Sequence, residues 1–444
     1  MAQNNSYDVA IVGGGFTGLT AAYVLAKTSR KVAVLETDSS PGGLAGTFTF
    51  ADGVRIEKFY HHWHNHDLHV VELARELGMD GDVVRLLTNT GMFFNGRLWR
   101  LSTPLDVLRF NALSLVDRFR LGLLVFKVRH IKDWRAIEHL SIREWLEPLV
   151  GKQVYKVVWE PLIKAKFSIY ADDVNAVWMW KKLVLRGSTR NDRGEEELAY
   201  FKGGFGRLAE ALVNEIRARG GEVYFETKAT DVVVKKQTIS AIKTSHGEFA
   251  ARQYVFTPAF PIIARILQNA ADQEWLASLR KVNYLANICL VLRLKQSLSS
   301  TYWLNVNDLG FPFVGVIEHT NLDAPHNYND SHIAFLSRYL AKEDPVWSYS
   351  DQDYFEFALA HLKRMFPQLD PSWVIEYNVC RADYAQPVTE RNYSQYVPGH
   401  KTPFDNAHIS TMAQIYPEDR GTNYAIREGR EIAADVESRL AADA

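Results

Sequence analysis

Three glycines and one carboxylate near the start of the chain are spaced to bind a dinucleotide. A short apolar run leads into Gly13-x-Gly15-x-x-Gly18, and a second apolar run ends on Glu36 about twenty residues later. Gly13 permits a tight strand-to-helix turn, Gly15 lets the backbone approach a pyrophosphate, and Gly18 lets the helix pack closely on the sheet. The N–H groups at the helix start then face the phosphates, and the carboxylate accepts hydrogen bonds from ribose hydroxyls. The pattern therefore predicts a βαβ unit that binds a dinucleotide.

A cluster of histidines follows this unit. Residues 56–69 read IEKFYHHWHNHDLH, so that His62, His64 and His66 would share one face of an extended strand. Three imidazoles on one face could bind a transition metal, but no carboxylate or further histidine group completes such a site. We therefore predict no metal centre. The remaining interpretations are acid–base chemistry near neutral pH and an ordinary polar loop.

Arginine and tyrosine side chains occur together at the ends of two strand-like runs. Arg338 and Tyr339 end one run, and Arg381 and Tyr384 lie at the end of another. An arginine beside a tyrosine suits a phosphate or diphosphate together with a sugar or ring face, which makes Arg338, Arg381 and Tyr384 candidate substrate residues. Surface or interface pairs of this kind are also common. Three tryptophans are candidates for stacking on a flat or glycosyl group, or else core residues: Trp159, Trp178 and Trp180.

The composition argues against some functional classes. With 51 basic and 52 acidic residues among 444, the formal net charge is −1, which gives no support to nucleic-acid binding. The two cysteines, Cys289 and Cys380, stand apart in the sequence, so neither a disulfide framework nor a zinc site is implied. A chain of this length and apolar content is expected to form two or three compact units.

Nothing in the sequence predicts secretion or a membrane span. The first residues are polar, and no apolar run approaches the roughly twenty residues that span a bilayer, so we expect a cytoplasmic protein. Residues 104–130 qualify this expectation, because five basic residues lie there among apolar ones on a helical period. Such a segment could lie peripherally on the inner face of an anionic membrane, or line the mouth of a lipid channel. The alternative is a pair of core helices with solvated basic faces.

The α/β pattern of the chain is interrupted twice. From about Pro104 to Leu185 the pattern is mostly helical, and further on helices mix with longer strands such as 288–294 and 332–340. The predicted division is residues 1–66, 201–262 and 401–444 for a nucleotide-binding domain, and 67–200 (helical) and 263–400 (mixed sheet) for a substrate domain.

Four features in this order carry a resemblance to a known superfamily. They are the βαβ unit ending at Glu36, the loop Pro41-Gly42-Gly43-Leu44-x-Gly46, the turn Gly203-Gly204-Phe205-Gly206-Arg207-Leu208, and the helix start Gly421-Thr422-Asn423-Tyr424-Ala425-Ile426-x-x-Gly429. In them the chain resembles the flavin amine oxidase and protoporphyrinogen oxidase-like FAD enzymes, which also include carotenoid desaturases and, more distantly, UDP-galactopyranose mutase. The resemblance implies an α/β fold in which a Rossmann-like FAD-binding domain carries a doubly inserted α+β substrate domain.

The resemblance also implies where the remote part of FAD lies. In similar proteins the second glycine loop follows the ribityl chain and the pyrophosphate, which assigns Gly42, Gly43 and Leu44 to the cofactor. A backbone contact to the adenine falls in the strand after Glu226, near Val232. No second glycine motif of this kind follows, so a nicotinamide domain is not expected.

The terminal helix is expected to stabilise reduced flavin. In the family its N-terminus points at the pyrimidine edge of the isoalloxazine, where negative charge develops on reduction, and Thr422 and Asn423 are the matching residues. The alternative is an ordinary capped helix. Because neither cysteine lies in this terminal segment, the resemblance implies FAD bound without a covalent link.

The histidine cluster matches a run that lies against the flavin in the mutase branch. Aligned in this way, His61 and His64 match two family histidines, although Phe59-Tyr60 replaces a glycine-proline pair. We therefore expect residues 61–66 to form one wall of the active site. His61 or His64 would hydrogen-bond the flavin or act as an acid–base group.

Three functions remain open at this level. The first is an FAD-dependent oxidoreductase in which hydride passes to flavin N5 from a nucleotide sugar, a lipid-linked sugar or a similar hydrophobic or glycosyl small molecule. Amine oxidation is disfavoured within it, because residues 284–291 lack the lysine that the amine oxidase branch carries in the corresponding strand. The second function is a non-redox sugar mutase, and the third is a flavin-binding scaffold without turnover.

Overall fold

Two large sheets of different kinds dominate the fold. The computed structural model describes residues 6–186 and 195–442. Its strands are β1 (Tyr7–Val12), β2 (Val32–Leu35), β3 (Thr47–Thr49), β4 (Arg55–Glu57), β5 (Val83–Leu87), β6 (Thr90–Phe94), β7 (Arg97–Arg100), β8 (Glu197–Phe201), β9 (Glu222–Tyr224), β10 (Ala229–Lys235), β11 (Thr238–Thr244), β12 (Gly247–Phe249), β13 (Ala251–Phe256), β14 (Tyr284–Leu294), β15 (Trp303–Val306), β16 (Gly315–Glu318), β17 (His332–Leu340), β18 (Val374–Pro387) and β19 (Ala407–Ile409). Its α-helices are α1 (Phe16–Lys27), α2 (Leu68–Glu76), α3 (Pro104–Arg109), α4 (Leu115–Arg129), α5 (Ile142–Val150), α6 (Lys152–Val154), α7 (Glu160–Phe167), α8 (Ala176–Arg186), α9 (Phe205–Ala218), α10 (Phe260–Ile266), α11 (Gln273–Arg280), α12 (Asp351–Met365) and α13 (Thr422–Ala442).

The parallel sheet is built around the N-terminal βαβ unit. Its order is β19-β13-β1-β2-β9, and every neighbouring pair is parallel. Strands of such a sheet are covered on both faces, which is why β1 and β2 are almost continuously apolar. Helices α1, α9 and α13 share one core with this sheet. A Cβ on Gly429 would lie 2.6 Å from the backbone oxygen of Thr17, so α13 needs glycine where it meets α1.

The second sheet has seven strands in the order β18-β14-β17-β16-β15-β6-β7. All its pairs are antiparallel except β15 with β6. The predicted strands 288–294 and 332–340 lie within β14 and β17. Asn95 and Gly96 turn the β6–β7 hairpin with φ of 51° and 67°, as a type I′ turn requires. Together with the parallel sheet, this confirms the predicted α/β fold, while the domain boundaries remain a prediction.

The helical block between β7 and β8 contains α3 to α8 and has its own core. A π-helical segment, Tyr155–Trp159, continues directly into α7. Helices α3 and α4 keep seven large apolar side chains exposed: Leu105, Leu108, Leu115, Val116, Phe119, Leu123 and Phe126. Over the described ranges, no helix combines the length and the apolar character needed to cross a membrane.

Candidate active site

The three glycines of the βαβ motif differ in what surrounds them. Gly13 ends β1 at a φ of +106°, and a Cβ on Gly18 would lie 2.0 Å from the Gly13 oxygen. Both positions therefore need glycine for the turn itself. A Cβ on Gly15 would meet nothing within 4 Å, and Gly15 has an ordinary extended backbone with a φ of −76°. Gly15 thus borders open space at the start of α1, which is the predicted position of the pyrophosphate.

The second glycine loop closes over the same turn. Gly42 and Gly43 have φ values of 108° and 58°, which favour glycine. The Gly42 N–H donates to the Gly14 oxygen over 2.8 Å. A Cβ on Gly43 would lie 3.3 Å from the Cα of Gly15. Leu44 follows and lines the cavity described below.

Glu36 ends the βαβ unit with room to accept more hydrogen bonds. Its Oε2 accepts from the Gly14 N–H over 2.6 Å, and its Oε1 accepts from the Asp38 N–H over 2.8 Å. Burial raises the pKa of Glu36. The Thr37 N–H is a third backbone donor to this carboxylate, and because the two oxygens carry about four lone pairs, a ribose hydroxyl can still bind. The Thr227 N–H donates to the Glu36 backbone oxygen over 2.7 Å. This bond joins the turn to the segment just before β10, and β10 is the strand that carries Val232.

A cavity of about 310 Å³ lies where the histidine cluster, the start of α13, the seven-stranded sheet and helices α7 and α8 meet. Aromatic and aliphatic side chains form much of its wall, among them Trp159, Leu162, Trp178, Met179 and Trp303. Two of the three tryptophans singled out in the sequence therefore lie at the cavity. The third, Trp180, donates its Nε1–H to the Val128 oxygen over 3.0 Å in the helical core.

The first turn of α13 borders the cavity beside the histidine cluster. The Thr422 hydroxyl accepts from Trp63 Nε1 over 2.6 Å, and Asn423 Oδ1 accepts from the Val70 N–H over 3.2 Å. These two side chains tie α13 to the cluster and to α2. What Thr422 and Asn423 offer a ligand is therefore the positive end of a 21-residue helix and its backbone N–H groups.

The histidine cluster forms one wall of the cavity. The Nδ1 of His61 lies 2.6 Å from the Phe59 oxygen, and because a carbonyl can only accept, Nδ1 carries the hydrogen. Burial lowers the pKa of His61 to about 4. The ring is therefore neutral at neutral pH, with Nε2 as its acceptor. Within residues 6–186 and 195–442, no group of three or more His, Cys, Asp or Glu is arranged to hold a metal ion. Four rings line the cavity: His61, His62, His64 and His66.

The predicted substrate residues on the seven-stranded sheet lie away from the cavity. Side chains alternate along a strand, and in β17 it is Tyr339 that lines the cavity. Arg338 instead pairs with Asp344 over 2.6 Å. Arg381 pairs with an aspartate at the start of α12, and Tyr384 packs against another tyrosine ring at 5.6 Å. The structure therefore does not bring Arg338, Arg381 and Tyr384 together with the histidine cluster.

Three charged residues that the sequence did not single out lie at the cavity instead of the predicted ones. Lys166 comes from α7, Lys182 from α8, and Arg420 lies shortly before α13, and all three line the cavity. Arg420 directly precedes Gly421, the first residue of the helix-start motif in the sequence, so that motif pointed to its neighbourhood. No motif marks the two lysines, because they reach the cavity only through the packing of the helical block.

One family model matches most of the chain. Residues 16–437 match the model for flavin containing amine oxidoreductases. The chain belongs to this family. The predicted family and the prediction of a flavin-dependent oxidoreductase are thereby confirmed.

Individual relatives of this family member are distant. The 15-cis-phytoene desaturase of an Oncidium hybrid cultivar is 23% identical over 438 residues, which cover 91% of this chain and 73% of the relative. The coproporphyrinogen III oxidase of Staphylococcus aureus is 23% identical over 266 residues, 52% of this chain and 55% of the relative. The solved structure of a candidate protoporphyrinogen oxidase from Exiguobacterium sp. 255-15 has a TM-score of 0.76 at 17% identity, covering 98% of this chain and 99% of that one. This last likeness concerns the fold alone.

The family implies a flavin cofactor, and the residues present fit one. Open space borders Gly15 where a pyrophosphate would pass. Glu36 keeps acceptor capacity for ribose, and the positive end of α13 lies at the cavity.

Proposed function

We propose that this protein binds FAD without a covalent link and uses it to oxidise an apolar substrate in the cavity. Glu36 and Val232 would hold the adenosine end, and the two glycine loops the pyrophosphate. The observation that carries the proposal is the position of the cavity, which lies at the start of α13 with largely apolar walls. When bound, the flavin supplies the acceptor for a hydride from a substrate C–H bond.

The residues of the cavity then have separate tasks. Trp159 and Trp178 exclude water and position the substrate. His61 is neutral and holds its Nδ1 hydrogen on the Phe59 oxygen, so its Nε2 can take up a proton that the substrate loses. The positive end of α13 favours negative charge at this end of the cavity.

The substrate is proposed to be lipid-linked or otherwise apolar, with a nucleotide sugar disfavoured. The diphosphate prediction depended on Arg338 and Arg381, and both are ion-paired away from the cavity. Aromatic and aliphatic side chains form much of the walls, which suits a flat ring system or a polyprenyl chain. The relatives named above as desaturase and porphyrinogen oxidase support oxidation rather than the mutase reaction.

An anaerobic screen tests this proposal. FAD-loaded protein is mixed with porphyrinogens, polyprenyl-phosphate sugars, nucleotide sugars and primary amines, and the flavin spectrum is followed. Bleaching by a porphyrinogen or lipid-linked compound is the expected result. An isomerised nucleotide sugar with no net change of the flavin would establish the mutase instead, and FAD binding without any reaction would favour the scaffold.

The proposal includes peripheral contact with an anionic membrane through α3 and α4. Phe119 and Phe126 are both 62% exposed on α4, and five further exposed apolar side chains lie beside them. Exposed basic residues flank them, including Arg109 and Arg129. A surface that combines apolar and basic side chains is complementary to anionic lipid headgroups and the acyl boundary below them. Contact there would bring an apolar substrate to the protein.

A vesicle assay tests the membrane contact. The protein should sediment with vesicles of phosphatidylcholine mixed with phosphatidylglycerol and less with phosphatidylcholine alone. Changing Phe119 and Phe126 together to serine should weaken partitioning roughly a hundredfold or more, because each buried phenyl group contributes about 1.5–3 kcal/mol. Leu309→Ser is the control, because Leu309 is 66% exposed but lies outside α3 and α4. Equal sedimentation of the double variant and the wild type would contradict this contact.

A further inference from the structure

Two cations meet at one end of the cavity without a carboxylate of their own. The Nζ of Lys166 lies 3.6 Å from the centroid of the Tyr339 ring. Arg420 donates from Nη2 to the Tyr339 hydroxyl over 3.2 Å and from Nε to Gln386 Oε1 over 3.0 Å, which fixes its guanidinium plane. Among the residues that the structure describes, neither Lys166 nor Arg420 forms an ion pair.

Asp419 is the carboxylate that interacts with these cations. Asp419 pairs with Lys182. Burial alone would raise the pKa of Asp419, but the positive charges of Lys182, Arg420 and Lys166 lower it. Three cations therefore act on one carboxylate. Two further carboxylates line the cavity. Asp67 accepts a hydrogen bond from a backbone N–H, and Glu196 accepts one from a threonine hydroxyl.

Neutral donors add to these charges. The Nε1–H groups of Trp159 and Trp178 are buried and have no hydrogen-bond partner within the described part of the chain. Both residues line the cavity, and the Nζ of Lys182 lies 5.7 Å from the centroid of the Trp178 ring. Buried donors without acceptors are costly unless a ligand supplies an acceptor.

We infer that Lys166, Tyr339 and Arg420 bind an oxyanion of the substrate, either a carboxylate or a phosphate. The inference rests on the proposed function, and it defines the substrate as an apolar body that ends in an anionic group. Arg420 uses two N–H donors on Tyr339 and Gln386 and keeps the others for a ligand. The Tyr339 hydroxyl accepts from Arg420 and also interacts with the side chains of Lys166 and Tyr60, so it holds the two cations together at the cavity.

The protonation states agree with this role. Burial lowers the pKa of Lys166 to about 8, so the ammonium remains mostly charged at neutral pH. Burial alone would raise the pKa of Tyr339, but the charges of Lys166 and Arg420 outweigh it and hold the pKa at about 8. An anion bound between them would favour the charged form of Lys166 and the neutral form of Tyr339.

Calorimetry on the FAD-loaded protein tests the inference. The probes are decyl phosphate, decanoate and decanol, which share an apolar chain and differ in the head group. At least one of the two anions should bind roughly tenfold or more tighter than decanol, and the stronger of them identifies the oxyanion. Lys166→Met and Arg420→Met should each weaken that anion roughly tenfold to a hundredfold and leave decanol unchanged. Lys166→Arg should restore much of the affinity.

Lys164→Met is the matched control, because Lys164 lies two residues away on α7 and pairs with Glu160 in solvent. Equal affinity for anions and decanol would overturn the inference, as would variants that bind the anions like wild type. Variants that shift the reduction potential of the flavin but leave anion affinity unchanged would assign the cations to the flavin and also overturn it. The FAD content of the same samples reports separately on the proposed function, and the same titration on protein without flavin keeps the two failures distinguishable.

Discussion

Replacing Gly15 with alanine is expected to weaken FAD binding without weakening the fold. The added Cβ would meet no protein atom within 4 Å, and a φ of −76° with a ψ of 176° suits alanine. Such a change stabilises a protein by about 0.4–1 kcal/mol through its unfolded state. The same methyl group would occupy space assigned to the pyrophosphate, at a cost of about 1–3 kcal/mol. The Kd for FAD should therefore rise roughly 5- to 150-fold.

Two other glycines provide the comparison. A Cβ on Gly18 would lie 2.0 Å from a backbone oxygen, so Gly18→Ala should lower the free energy of unfolding by about 3 kcal/mol or more. A Cβ on Gly310 would meet nothing within 4 Å. Because Gly310 lies outside the glycine loops, Gly310→Ala should leave FAD affinity unchanged.

The assay titrates apoprotein with FAD and follows flavin fluorescence, and denaturant unfolding is measured on the same samples. A Gly15→Ala protein that binds FAD as tightly as wild type would refute the position of the pyrophosphate. A Gly15→Ala protein as unstable as Gly18→Ala would refute the distinction between the two glycines.

Three further predictions concern other parts of the molecule. Glu36→Ala should raise the Kd for FAD roughly 10- to 150-fold, because hydrogen bonds to a charged acceptor contribute about 1.5–3 kcal/mol. Glu248→Ala changes an exposed carboxylate on β12 and should leave the Kd unchanged. Equal Kd values for the Glu36→Ala protein and the wild type would show that Glu36 does not bind the ribose. His61→Ala should keep its FAD, and its turnover of the substrate found in the anaerobic screen should fall roughly 10²- to 10⁴-fold. Loss of FAD with normal turnover of the remaining holoenzyme would make His61 a cofactor ligand only. Burial lowers the pKa of His408 to about 4. As the pH falls from 6.5 to 4, the unfolded state therefore binds more protons than the folded state, and the free energy of unfolding falls by up to roughly 3 kcal/mol. His408→Gln should lack this part of the stability loss in acid, and an unchanged pH dependence of its stability would contradict the role of His408.

The βαβ unit was largely predictable because its residues act locally. Its glycines act through backbone geometry and Glu36 through its carboxylate, all inside one unit, so their spacing alone predicts the turn and the acceptor beside it. The motif also predicts a separate role for each glycine. The fold adds the surroundings of each position, because Gly15 borders open space whereas Gly18 contacts the turn.

The substrate side was less predictable because distant segments build it. Arg338 and Tyr339 are adjacent in sequence, yet Tyr339 lines the cavity and Arg338 pairs with an aspartate outside it. Pairing of arginine with tyrosine was a sound chemical criterion, but the arginine that meets Tyr339 is Arg420. Lys166 joins them through the packing of α7 against β17, which no local pattern encodes.

In the proposed function, the βαβ unit and the start of α13 hold FAD without a covalent bond. The most direct measurement is the visible spectrum of the purified protein, followed by acid denaturation and chromatography of the released small molecules. We expect a yellow protein that releases intact FAD in close to equimolar amount and leaves a colourless chain. A colourless protein that takes up no added FAD, or a flavin that stays on the denatured chain, would contradict this claim.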